Sequence, residues 1–143
     1  MSTITSANSA FSLAIDNLYP SPQQIQGYAA DDAFASEALD MAEVLMGVDG
    51  IMSAGFIFSP YKMTVHLMPT SPSLVMFETW GNATRGGQEV LPANGTVMLP
   101  AIGRKYTLVN GILTQFKPFA DVKKTLQPTQ YVITWQQIVG SAI

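Results

Sequence analysis

A chain of 143 residues fits one domain and buries about two-thirds of its unfolded surface on folding, so its core needs neither disulfide nor metal. It has no cysteine and one histidine, which excludes a disulfide framework, a thiolate zinc site, a cysteine nucleophile and a two-histidine metal site within one chain. Charged residues are 12% of the chain, about half the usual share, while apolar residues are an ordinary 48%. Too few charges are available to coat a free monomer, which points to surfaces covered by other subunits.

The charge that is present is segregated. Seven acids (Asp16, Asp31, Asp32, Glu37, Asp40, Glu43, Asp49) and no Lys or Arg precede residue 60. Seven bases (Lys62, Arg85, Arg104, Lys105, Lys117, Lys123, Lys124) and only three acids follow it. Either the two halves neutralise each other within one fold, or an acidic face of one copy meets a basic face of another. The opening residues carry no basic residue and no apolar run, so no secretory signal is expected, and no stretch reaches the ~18 apolar residues of a membrane span.

Residues 1–10, rich in Ser and Thr, are expected to be a flexible arm, with one domain over 11–143. Phe11 to Ile15 alternates in the manner of a half-buried strand. Tyr19-Pro20-Ser21-Pro22 reads as a turn, with a second strand over Gln24 to Ala29. Asp31 to Met46 is ambiguous: Phe34, Ala38, Met41 and Leu45 recur at helical spacing, while Val44, Met46 and Val48 alternate as in a strand. The reading adopted is a strand from about Met41 and a hairpin through Asp49-Gly50.

Lys62 to Met68 is the cleanest strand, with Met63, Val65 and Leu67 on one face, and Pro69 ends it. Ser71-Pro72 then predicts a helix of about three turns, Ser71 as N-cap and Pro72 at the first helical position. Its stripe Leu74, Phe77 and Trp80 is expected to pack on a sheet. Beyond it, Asn94-Gly95 and Asn110-Gly111 read as hairpin turns, the first between Glu89–Ala93 and Thr96–Leu99, the second between Lys105–Val109 and Ile112–Phe116. Tyr131 to Val139 closes the chain as a strand. The sum is a mainly β domain with one main α-helix, of sandwich or barrel type.

Reactive chemistry is not assembled. His66 lies mid-strand among apolar neighbours and has no second histidine to join. Glu37, Asp40 and Glu43 read as an acidic surface patch, and no calcium or phosphate-loop spacing occurs. Arg104, Lys105, Lys117, Lys123 and Lys124 interleave with Tyr106, Phe116 and Phe119, a composition compatible with nucleic acid, but the net charge of −3 speaks against it. No catalytic residue, metal or cofactor is expected, and the eight methionines fit cores and adaptable interfaces alike.

The run from Ala42 to Phe56, Ala-Glu-Val-Leu-Met-Gly-Val-Asp-Gly-Ile-Met-Ser-Ala-Gly-Phe, resembles a segment of the tail tube proteins of contractile-tailed bacteriophages. Three further stretches match in order: Met63–Leu67 with Pro69–Ser73, Leu99–Leu108, and Ile133–Trp135. The resemblance spans about residues 10 to 137, and its weight lies in order and spacing.

The resemblance implies a structural virion protein assembled in the host cytoplasm. Hexameric rings stack into a tube in which the sheets of six subunits join into one intersubunit barrel and the helix packs on the outer side of the sheets. Implied partners are further copies of the chain, the sheath, a baseplate or tube initiator and a tail terminator. DNA passes through the lumen without specific binding, and no membrane is involved. An initiator or terminator of the same tail is an alternative role, and a monomeric β-barrel binding an apolar ligand is the alternative of another class.

A loop or hairpin reaching the neighbouring ring corresponds here to Met41, Val44, Met46, Val48, Asp49, Ile51, Met52, Phe56 and Phe58. A closed intersubunit barrel would also remove exposed strand edges. Asp31, Asp32, Glu37, Asp40 and Glu43 are candidate lumen acids, since carboxylates lining a conduit repel DNA phosphates. Replacing them with Lys is expected to slow or stall DNA ejection; ejection at the parental rate would remove them from the lumen.

Overall fold

Alternating apolar positions in β1 (Ala10–Ile15) and β6 (Tyr61–Leu67) dictate where the core forms: Phe11, Leu13, Ile15, Met63, Val65 and Leu67 are buried, and the residues between them are not. The computed structural model describes residues 9–28 and 34–143. Most of the expected arm, together with Asp31 and Asp32, lies outside the described residues; β1 begins at Ala10.

The chain is mainly β with one helix. Seven strands form one antiparallel sheet in the order β2-β1-β7-β8-β9-β6-β3, with β2 (Tyr19–Gln24), β3 (Phe34–Ser36), β7 (Ala93–Leu99), β8 (Arg104–Gln115) and β9 (Thr129–Ala142). A separate ladder pairs β4 (Ala42–Met46) with β5 (Met52–Phe56). The large sheet curls strongly. Phe11 on β1 and Phe34 on β3, near opposite ends of the strand order, have ring centroids 6.0 Å apart. The loop after β2 closes the gap: Met68 N–H donates to the Gly27 carbonyl at 2.8 Å, and Tyr28 pairs with Leu67.

Helix α1 (Leu74–Gly87) fills the concave face. Phe77 stacks on Tyr131 of β9 at 4.6 Å, and Trp80 is buried with its indole N–H donating to the Leu91 carbonyl at 3.0 Å. Leu74 is half-buried at the rim of this core. Gly81 leaves room for the Phe116 ring, which a Cβ there would meet at 2.8 Å. Burial pushes the Tyr131 hydroxyl above the ordinary phenol range.

Four local expectations are corrected. Tyr19-Pro20-Ser21-Pro22 is the start of strand β2, not a turn, and the second strand therefore precedes Gln24–Ala29. Its two prolines are tolerated because β2 is the edge of the sheet, where an absent N–H costs no ladder bond. The turn is Asp16–Leu18, with Asn17 at φ 68°.

The helix starts at Leu74, capped at Ser73, and not at Ser71-Pro72. Ser71 Oγ caps the turn that leads into the helix, accepting from Ser73 N–H at 3.1 Å, and both hydroxyls also reach the loop after β2. Ser71 Oγ donates to the Gln26 carbonyl, and Ser73 Oγ accepts from Gln26 N–H at 2.9 Å. The two serines tie down the loop after β2 and displace the helix start. At 14 residues α1 runs about four turns, one more than expected. In the ambiguous stretch, residues 34–46 hold no helix; β3 and β4 take its place.

Neither Asn-Gly pair makes a hairpin. β7 runs through Asn94-Gly95, Glu89–Ala93 forms no strand of its own, and β8 runs unbroken through Asn110-Gly111. The two pairs face one another at a bulge, where Ala93 opposes Gly111 and Gly95 opposes Leu108. Asn110 has φ 48° and its N–H donates to Asn94 Oδ1 at 3.1 Å. Their left-handed tolerance is used to bend strands instead of reversing them.

At this point β8 and β9 exchange faces. Buried positions shift phase from Leu108 to Gly111 in β8, and from Tyr131, Ile133 and Trp135 to Ile138 in β9. Asn110 Nδ2 donates to Gln136 Oε1 at 2.7 Å across the switch. A Cβ on Gly111 would collide with the Trp135 ring. Gly111→Ala is expected to lower stability by about 1–3 kcal/mol through overpacking. Gly86→Ala, in open space on the helix, is expected to be neutral or to stabilise by up to about 1 kcal/mol. Urea midpoints of the two variants check both signs.

Candidate functional site

The β4–β5 hairpin has no core beneath it. Every residue of both strands is exposed, although the sequence is rich in Val, Leu, Met and Phe. Pairing explains why the segment is a hairpin at all: Ala42 opposes Phe56, Val44 opposes Ala54 and Met46 opposes Met52. These six residues share one face, so that face is wholly apolar. Glu43 opposite Gly55 and Leu45 opposite Ser53 make the other.

The tip is tightly built. Gly50 has φ 82°, Gly47 N–H donates to the Ile51 carbonyl at 2.9 Å, and Asp49 Oδ1 accepts from Ile51 N–H at 3.1 Å. The base is held as well, by Ile57 N–H to the Met41 carbonyl at 3.1 Å and Ser59 Oγ–H to the Asp40 carbonyl at 2.8 Å. Phe56 and Phe58 meet edge to face at 4.8 Å, yet Phe58 remains 93% exposed.

An isolated two-stranded hairpin is marginal in water. Burying Val44, Met46, Met52 and Phe56 against a partner would contribute about 1.5–3 kcal/mol for each side chain fully covered. A cleft of about 660 Å3 separates the hairpin base from the sheet, between Met41, Phe56 and Phe58 on one side and Asn110, Ile112 and Trp135 on the other. The buried Trp135 indole N–H has no acceptor among the described residues.

All nine residues named from the sequence as interface candidates lie in this arm and are exposed: Met41, Val44, Met46, Val48, Asp49, Ile51, Met52, Phe56 and Phe58. Val44, Met46, Met52 and Phe56 share its apolar face, while Val48 and Asp49 form the tip. Among the candidate lumen acids, Glu37 and Asp40 sit at the root of the arm and Glu43 on its mixed face, all exposed. Glu37 is joined to β6 by its N–H, which donates to the Lys62 carbonyl at 3.0 Å.

Sequence reasoning missed a second exposed apolar group, Phe119, Val122 and Leu126 in the loop between β8 and β9. No periodicity marks it. Its shape comes from a Val122–Leu126 bridge, a Gln127 N–H to Asp121 carbonyl bond of 3.1 Å, and a Lys117–Asp121 ion pair of 2.9 Å. Lys117, through its hydrogen bond and then its charge, holds the Asp121 carboxyl below its ordinary range. The basic residues that cluster in sequence are split: Arg104 and Lys105 start β8, and Lys117, Lys123 and Lys124 follow its far end. Among the described residues, no three His, Asp or Glu side chains gather as a metal site, and no helix is long and apolar enough to cross a membrane.

Comparison with known proteins adds three findings. Residues 2–139 match the family described as tail fiber protein gp32. A chain in the 6-fold symmetrised cryo-EM structure of the anti-feeding prophage baseplate superposes with a TM-score of 0.63 at 14% identity, covering 99% of this chain and 98% of that one. A chain in the cryo-EM structure of the anti-feeding prophage tube terminating cap superposes with a TM-score of 0.60 at 10% identity, covering 93% and 88%. At these identities the two likenesses establish the fold. No curated protein matches the sequence.

The apolar face of the hairpin carries nothing of the monomer's own core. Val44→Lys with Phe56→Lys is therefore expected to leave the thermal midpoint within a few degrees of the parent. The same variant should lose most of the apolar-dye binding of the dissociated protein. A large drop in the midpoint would show that the arm packs on its own domain.

Proposed function

We propose that this chain, which belongs to the tail fiber protein gp32 family and is a phage tail-related structural protein, forms stacked rings of the inner tube of a contractile tail. The observation that carries this reading is the hairpin with six apolar side chains on one exposed face and no core of its own to bury them. A free monomer gains nothing from such an arm and risks aggregation through it. A subunit in a stack buries it.

The curled sheet supports the same reading. Its outer strands, β2 and β3, leave backbone edges that a ring can pair with neighbouring copies. Six copies per ring is the number suggested by the 6-fold baseplate that contains a chain of this fold. Sheath, baseplate and terminator are the further partners of such a tube, and DNA is its cargo. The outer sheath would contact surfaces left free by ring formation.

A second reading has a specific observation in its favour: chains of this fold occur in a baseplate and in a tube terminating cap. On that reading the chain forms the ring at one end of the tube. The ligand-binding β-barrel fits less well, since it requires a surface content in water alone and the hairpin does not provide one.

Negative-stain electron microscopy of the purified protein, with mass from light scattering, tests the ring reading. Rings or hollow tubes of uniform width are expected, and a monomer that never assembles, alone or with tail extract, would overturn it. Copy number per virion then decides between the two roles: abundant for a tube, a single ring for an end piece.

A further inference from the structure

Two exposed surfaces combine apolar side chains with a net charge, negative on one and positive on the other, and they lie at opposite ends of the sheet. The first is the β4–β5 arm, with its apolar face and the acids Glu43 and Asp49. The second is the loop after β8, where Phe119 is 73% and Val122 75% exposed beside Lys123 and Lys124. Strand β6 measures the separation. Its first residue, Tyr61, adjoins the base of the arm and pairs with Trp135; its last, Leu67, pairs with Thr129, where the loop enters β9. The seven residues of β6 set the two ends about 20 Å apart.

We propose that the arm of one copy docks on this loop of a second copy in the adjacent layer, apolar face against Phe119, Val122 and Leu126, with Asp49 at the arm's tip facing Lys123 and Lys124. The proposal rests on the stacked-ring reading and names the surface that receives the arm. Three observations select it. Both surfaces are apolar, so each offers what the other must bury. Their net charges are opposite: the arm segment from Glu37 to Pro60 holds acids and no base, while the loop has three lysines against one acid, Asp121, which is bonded to Lys117 and also feels the charge of Lys123.

Their placement at opposite ends is what a head-to-tail contact between layers requires, because the arm of one copy reaches the loop of the next with no twofold symmetry. The other basic pair, Arg104 and Lys105, lies at the end where β8 opposes Ala142, the same end as the arm, and cannot receive an arm arriving from the opposite layer.

The chain has no cysteine, so introduced ones report contacts cleanly. Val44→Cys protein and Val122→Cys protein are mixed, assembled and treated with a short bismaleimide; both positions are exposed, so folding is not at stake. A cross-linked heterodimer is expected only in assembled samples. Val44→Cys mixed with Ile102→Cys, at the wrong end, should give little product. In parallel, Lys123→Glu with Lys124→Glu should raise the concentration at which rings stack by about tenfold or more, and adding Asp49→Lys should restore it at least in part.

Tubes that form without the Val44–Val122 product, or stacking indifferent to the lysine reversals, overturn the docking site and leave the ring reading standing. Parental protein that forms no rings under any condition overturns both.

Discussion

Trp135 lies across Gly111 on the neighbouring strand, in space that any side chain at 111 would occupy. Around this contact β8 and β9 exchange their buried and exposed faces, and Asn110, held at φ 48° and bonded to Gln136, makes the bend. A flat seven-stranded sheet would leave one face of every strand without cover. The bend lets the sheet curl until Phe11 meets Phe34 and α1 fits inside, with Phe77 stacked on Tyr131. Leu108 and Ile138 on one side of the bend, and Ile133 and Tyr131 on the other, can then belong to one core.

Much of this was legible from side-chain period. β1 and β6, and β9 up to Trp135 apart from the buried Val132, alternate so that burial follows from parity, and Phe77 and Trp80 lie at helical spacing where the core needs them. What failed was local chemistry with more than one use. Asn-Gly serves a hairpin turn or a bulge equally, and only the partner strand decides between them. Pro20 and Pro22 signal a turn unless the strand is an edge, and edge position is a property of the whole sheet. Ser71 does accept from Ser73 N–H as a cap would, but its hydroxyl also donates to Gln26, 45 positions away, and the helix begins only at Leu74. Each miss is a tertiary contact overriding a local preference.

The candidate site divides in the same way. The arm was visible because Asp49-Gly50 marks its turn and Val44 and Met46 mark its face. That the opposing Met52, Ala54 and Phe56 complete a single apolar surface depends on register, which no single strand reveals. Of the Phe119, Val122 and Leu126 group, composition picked out only Phe119 beside the lysines; the rest was hidden, since loop residues have no period and their exposure follows from the bonds that fold the loop.

The arm leaves the sheet beyond Tyr61 and the basic loop sits beyond Leu67, so the subunit has a front and a back of different chemistry. Any array in which copies keep a common orientation inherits that direction. One terminus presents rows of apolar, acidic fingers; the other presents lysines around hydrophobic knobs. Growth at the two termini then need not proceed at the same rate, and one capping protein cannot serve both. A protein that starts such an array has to imitate one surface, and a protein that stops it has to imitate the other. The two end pieces of a directional filament are in this sense moulds of opposite faces of the same subunit.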